Sequence, residues 1–171
     1  MKQTKFWKES KDTKHGGSYA KGKRKSARPV VTKSPMHLMF RSSRARGSWN
    51  FLRKPRAIEE KARALAKKYR VRVFHYTNVG NHLHFTVQAA SRRELQSFLR
   101  VLPQAIAFLV TGTRKGKPIG RFWDHLAFSR VVAWGKDKYR MANYHEKNRL
   151  EAQGEERDRV DYLYKLLWDS G

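Results

Sequence analysis

At 171 residues the chain is long enough for one well-buried core and short of two full-sized domains. Its 39 Lys and Arg against 14 Asp and Glu give a formal charge of +25, which points to a polyanionic partner, and the 12% aromatic content interleaved with that charge favours a nucleic acid held by phosphate contacts and base stacking. Cysteine is absent, which excludes disulfides, thiolate metal sites and cysteine nucleophiles, and no run approaches the roughly 20 apolar residues of a membrane span.

Residues 1–34 are rich in Lys, Gly and Ser and show no usable period, so they read as a basic, flexible N-terminal arm. Within it Lys23, Arg24 and Lys25 are candidate phosphate contacts. The opening stretch from Met1 to Lys8 is polar and basic and lacks the apolar centre of a secretory signal; the expected location is cytoplasmic and nucleoid-associated. After Pro35 a strand is predicted, with Met36, Leu38 and Phe40 on one face and His37, Met39 and Arg41 on the other. Pro55 suits the first turn of a helix, and Ile58, Ala62, Leu65, Ala66 and Tyr69 recur at helical spacing, which predicts a helix over 54–69. Residues 71–88 form a hairpin turned at Gly80. Ser91 and Glu94 then have the spacing of a capping box and open a second helix with Leu95, Phe98, Leu99 and Leu102 as its buried stripe. Pro103 predicts a kink or break before helix resumes at 105–110.

The stretch from Thr111 to Pro118 is a basic glycine loop without the spacing of a P-loop, and its Lys115 and Lys117 are candidate DNA contacts. The stretch from Phe122 to Trp134 is expected to supply the last strand, with irregular aromatic edges, and carries Arg130, which with Arg41 completes the set of candidate DNA contacts. The order strand, helix, strand, strand, helix, strand is the ferredoxin-like split β-α-β-β-α-β arrangement, an α+β fold with helices on one face of an antiparallel sheet. That leaves the opposite face open to a substrate. A further helix is expected from about Lys136 toward Gly154. An amphipathic one with Val160, Leu163, Leu166 and Leu167 follows, so the domain runs over 35–154 between the arm and a C-terminal helix at 155–171.

The chemistry concentrates in the second hairpin strand. Side chains alternate faces along it, so His82, His84, Thr86 and Gln88 share one face while Leu83, Phe85, Val87 and Ala89 share the other. Same-face neighbours lie only about 7 Å apart, and two imidazoles at that spacing can converge on one divalent cation. On the helix after Lys136, Tyr144 and Asn148 are four residues apart and therefore on one face. Should that helix lie beside the histidines, His82, His84 and the Asn148 amide form a nitrogen and oxygen ligand set suited to Mg²⁺ or Mn²⁺ acting on phosphate. Tyr144 then sits beside the ion. A phenol is a weak nucleophile at neutral pH, and a Lewis acid on the phosphoryl oxygen is what would activate its target. Tyr139 is the alternative nucleophile. His37 and His75 read as structural histidines near the sheet, and His145 and Lys147, on other helix faces than Tyr144, as solvated residues or phosphate contacts.

These residues resemble the motifs of the single-tyrosine HUH transposases, and within them the REP-associated tyrosine transposase branch. His82-Leu83-His84, preceded by Asn81, is similar to the HUH motif, and Tyr144-His145-Glu146-Lys147-Asn148 is similar to the tyrosine motif. The segments Arg121 to Asp124 and Ser129 to Gly135 resemble the stretch that precedes the tyrosine helix. The likeness covers roughly residues 35–154, and Arg149 departs from it where many members have proline. The resemblance implies a single-stranded DNA endonuclease and strand transferase. In that chemistry Tyr144 forms a 5′-phosphotyrosine and releases a 3′-hydroxyl, while His82, His84 and Asn148 hold the ion. It also implies DNA hairpins with short single-stranded guides as substrate, and either a monomer or a homodimer. Two alternatives differ in class: a non-catalytic DNA- or RNA-binding protein on the same fold, and a replication-initiator or relaxase nuclease.

Overall fold

The computed structural model describes residues 13–24, 26–113 and 120–155. In chain order its elements are β1 (Lys14–His15), β2 (Met36–Arg41), α1 (Pro55–Lys68), β3 (Val71–Asn78), β4 (His82–Ala89), α2 (Arg92–Thr111), β5 (Phe128–Val131) and α3 (Lys136–Ala152). From β2 to β5 the chain follows the expected β-α-β-β-α-β order, and the sheet runs β1-β5-β2-β4-β3 with every pair antiparallel. The fold is α+β.

Alternation along the strands decides which side becomes the core. Met36, Leu38 and Phe40 from β2 and Leu83, Phe85 and Val87 from β4 are each 2% exposed or less, and they meet Ile58 and Ala62 of α1 and Leu95, Phe98, Leu102 and Ile106 of α2. Each fully buried Leu or Phe contributes roughly 1.5–3 kcal/mol relative to exposure, so this face carries the stability of the domain. Pro55 occupies the first turn of α1, where its missing N–H is no loss. The hairpin turns at Gly80, whose φ of +88° is left-handed and where a Cβ would sit tightly against the Asn50 side chain at 3.2 Å. A bulge at Phe74 shifts the β3 register between Val73, opposite Val87, and His75, opposite Thr86.

Four expectations need correction. Part of the arm belongs to the sheet: Lys14 pairs with Arg130 and His15 with Ser129 at the β5 edge, followed by a 3₁₀ turn at Gly17–Ala20. The backbone supplies that pairing, which is why no side-chain pattern announced it. The second helix runs unbroken from Arg92 to Thr111 through Pro103, with the Ser91 hydroxyl accepting from Glu94 N–H at 3.2 Å; the Pro103 carbonyl accepts the Trp123 indole N–H at 3.0 Å. The last strand is four residues long, not thirteen, because Phe122 and Trp123 turn into the core against Phe51 and Phe40. Finally, the second sheet face is not left open: His84 is 2% exposed and Thr86 fully buried, because α3 lies across them. Lys25, Lys115, Lys117 and, apart from Glu155, the C-terminal helix expected at 155–171 lie outside the described residues.

Candidate active site

The centre of the second face is a group of imidazoles. His37 of β2 and His84 of β4 stack with ring centroids 5.5 Å apart and planes within 2°, and His37 Nε2 lies 3.3 Å from His84 Nδ1. His82 follows along β4, its ring 5.9 Å from that of His84, with Nδ1–H donating to Asn81 Oδ1 at 2.5 Å. An amide oxygen only accepts, so His82 carries its proton on Nδ1 and its lone pair on Nε2. If His84 likewise donates from Nδ1 to His37, both Nε2 atoms are left as ligands.

Helix α3 is polar along nearly its whole length and buries only Met141 and His145. Its start is fixed by Asp137, which takes a bidentate pair from Arg130 at 3.0 and 3.1 Å and accepts from Ala133 N–H at 2.9 Å. Its middle is fixed by His145. That ring, 4% exposed, places Nδ1 2.9 Å from the Thr77 hydroxyl and Nε2 2.9 Å from the Thr86 hydroxyl, and stacks on His75 at 5.4 Å. His145, expected in solvent, is the peg that seats the helix. The turn that carries it also brings Tyr144 to the histidines, with ring centroids 5.5 Å from His84 and 5.7 Å from His37.

Burial sets the charge state. It drives His84 down to about 3, helped by the neighbouring His145 and His82, and drives His37 to about 3, helped by His84, His145 and Arg130. His145 falls to about 4 through burial and the nearby His75. For His82 burial and Arg41 lower the value against an opposing pull from Asp124. The imidazoles are neutral at neutral pH, as a ligand must be.

The predicted site residues meet in one cleft of about 370 Å³, lined by Met39, Val79, His82, His84, Tyr144, Asn148, Glu151 and Ala152. Tyr144 is 40% exposed there. Asn148 turns its Nδ2 back to the Tyr144 carbonyl at 2.6 Å, which leaves Oδ1 available to act as a ligand. Among the described residues no three His, Asp or Glu side chains converge to hold an ion, so an ion at the histidines would need this amide. Two imidazoles with oriented tautomers and one amide oxygen fit a divalent cation of intermediate or hard character.

Tyr139, the alternative nucleophile, is 59% exposed on α3 and does not line the cleft. Of the expected DNA contacts, Arg130 is engaged with Asp137, and Arg41 places Nε 3.4 Å from Asp124 with over half of its side chain exposed. Lys23 stands over the Tyr19 ring at 3.4 Å, and Arg24 is exposed. The reading of the sequence missed the positioning role of His145 and the presence of Glu151 in the cleft. Glu151 was within reach, since it follows Tyr144 by seven residues and shares its helix face.

No protein-family model matches the chain, and no curated protein matches it. Among solved structures, a crystal structure of a candidate transposase from Deinococcus radiodurans aligns over 74% of this chain and 98% of that one, at 10% identity and a TM-score of 0.44. So distant a likeness assigns neither family nor activity.

Proposed function

We propose that the protein is a single-stranded DNA endonuclease and strand transferase whose nucleophile is Tyr144 and whose divalent cation, Mg²⁺ or Mn²⁺, is held by His82, His84 and Asn148. One placement carries the reading: the one tyrosine that lines the histidine cleft among the described residues sits on a helix pegged across the histidine face, within ring contact of His84. The surrounding charge of +25 supplies the attraction for a polyanion.

The cation, when bound, withdraws electron density from a phosphoryl oxygen. Tyr144 Oη attacks the phosphorus, the P–O3′ bond breaks, and the phosphate stays on the 5′ side as a phosphotyrosine. The phenolic proton leaves to water at the exposed edge of the ring, and the departing 3′ oxygen is protonated by solvent. A 3′-hydroxyl can reverse the step and join strands, since the covalent intermediate retains the phosphodiester linkage. His37 holds the His84 ring and Asn81 the His82 ring, so neither ligand needs to rotate during turnover.

The test uses a labelled hairpin oligodeoxynucleotide with single-stranded flanks and Mn²⁺. Wild-type protein forms an adduct stable to denaturing electrophoresis; Tyr144→Phe forms none yet still binds, and EDTA stops the reaction. Adducts retained by Tyr144→Phe would overturn the assignment, and adducts lost only in Tyr139→Phe would move it to that residue.

A further inference from the structure

The face of β2 that lines the histidine cleft continues into a second pocket of about 530 Å³. Met39 and Arg41 form its floor. One wall is the 3₁₀ turn at Gly17–Ala20, held there by the pairing of β1 with β5 and by Gly17 N–H donating to the Leu126 carbonyl at 2.9 Å. The other is the loop from Arg121 to Leu126. Met39 lines both hollows and Arg41 stands opposite His82 in the strand register, so the two are neighbours along one strand.

Three arginines line this pocket, Arg41, Arg44 and Arg121. A single carboxylate pairs with the first of them. Asp124 accepts from the Ser43 N–H and hydroxyl, both at 2.8 Å, and faces Arg41 Nε. Partial burial acts to raise its carboxyl, but the two Ser43 bonds and Arg41 prevail and hold it below the usual range, so it stays charged. Arg44 reaches the Arg121 carbonyl at 3.3 Å, and Arg121 in turn bonds the carbonyls of Trp123 and Asp124. One negative against three positive groups leaves an excess of cation in a hollow of small-ligand size, too narrow for a duplex. His125 and Leu126, both exposed, add the surface against which a base could lie.

We propose that this pocket is a nucleotide subsite: it takes one unpaired deoxynucleotide of the strand whose phosphodiester enters the histidine cleft, with Arg41 and Arg44 on its phosphate. This deepens the reading of the cleft as a DNA site and rests on it. The strand would pass over Met39 from one hollow to the other. The N-terminal segment contributes by walling the pocket, which gives the short β1 pairing a purpose beyond stability.

The experiment uses the full chain carrying Tyr144→Phe, so that no cleavage enters, and fluorescence anisotropy with the hairpin oligodeoxynucleotide. Arg44→Gln weakens binding by about tenfold at fixed salt, and the slope of log affinity against log salt becomes shallower by about 0.7, as expected when one phosphate is no longer neutralised. Ser18→Glu, at an exposed position on the opposite wall, leaves the loop bonds untouched and weakens binding in the same direction. Replacing the flank linkages one at a time with neutral methylphosphonates locates a single sensitive linkage whose effect disappears in Arg44→Gln. 5-Iodouracil at that nucleotide crosslinks to the segment Arg121–Leu126. Affinities within twofold of the parent in both variants, or crosslinks that map only elsewhere, overturn the subsite; equal competition by an RNA of the same sequence overturns its assignment to DNA. Because these readouts involve no covalent step, they hold or fail separately from the role of Tyr144.

Discussion

Replacing His145 with alanine tests whether the proposed nucleophile, Tyr144, depends on how its helix is seated. The imidazole spans two hydroxyls, Thr77 at 5% exposure and Thr86 at none; alanine takes the partner of Thr86 away, while Thr77 keeps its bond to the His145 carbonyl at 3.3 Å. An unsatisfied buried hydroxyl costs roughly 1–3 kcal/mol, so the docked helix is destabilised by about that much before any cavity is counted. Against this the only other buried side chain of α3 is Met141, worth roughly 1.5–3 kcal/mol. The core on the opposite face does not involve the ring, so α3 should open as a unit while the sheet, α1 and α2 stay folded. The middle of the range for the unsatisfied hydroxyl, about 2 kcal/mol, corresponds to about a 30-fold loss of docked population where docking is marginal. The expected result is a fall of that order in the rate of adduct formation, with reduced amide-exchange protection confined to 136–152 and little change in binding of the hairpin oligonucleotide. The triple variant His145→Leu, Thr77→Val, Thr86→Val removes every polar partner at once and should recover much of the docking, since matched apolar replacement is close to neutral. Wild-type adduct rates in His145→Ala, or slow rates with α3 protection intact, would refute the reasoning.

Two further predictions concern the same face. Asn81→Ala frees the His82 ring and should raise the Mn²⁺ concentration needed for half-maximal adduct formation by roughly 10–100-fold, without changing unfolding by urea; an unchanged Mn²⁺ requirement would remove Asn81 from the site. In metal-free protein, His37 and His84 at about 3 and His145 at about 4 sit well below the unfolded imidazole, near 6.5. Depressed values mean that their contribution is complete above pH 6.5 and is lost progressively as the pH falls from there through 4 to 3, at up to about 1.4 kcal/mol per pH unit for each ring. Urea midpoints should therefore be lower at pH 5 than at pH 7, and a flat or rising midpoint on acidification contradicts the neutral cluster.

The parts of the fold that follow a period could be read from the sequence. Ile58, Ala62 and Ala66 mark α1, and Leu83, Phe85 and Val87 mark the core face of β4, because apolar burial imposes spacing. Backbone pairing imposes none, so β1 was invisible within a Lys- and Gly-rich stretch. Pro103 was read as an interruption on propensity alone, yet the helix packs Phe98 and Leu102 before it and Ile106 after it into one core, and tertiary burial prevailed. The site divides in the same way. His82, His84, Tyr144 and Asn148 are legible as motifs, but nothing in their spacing says that the two pairs meet. That depends on α3, whose contact with the sheet is made through hydrogen bonds instead of an apolar stripe.

This mode of docking joins two requirements that would otherwise be independent. A chain of +25 has cations in plenty for phosphates, yet a divalent ion needs uncharged lone pairs at its centre. The lowered value of His84 comes first from burial and then from the adjacent His145, and α3 supplies both. The same helix delivers Tyr144. With α3 seated, the imidazoles are neutral and Tyr144 stands beside them; with it lifted, His84 regains water and the tyrosine leaves the cleft together. A conventional apolar stripe on α3 would hold the helix as firmly but would fill the face with carbon and leave no room for imidazoles. The polar peg at His145 keeps the face available to histidines and still holds the helix across it.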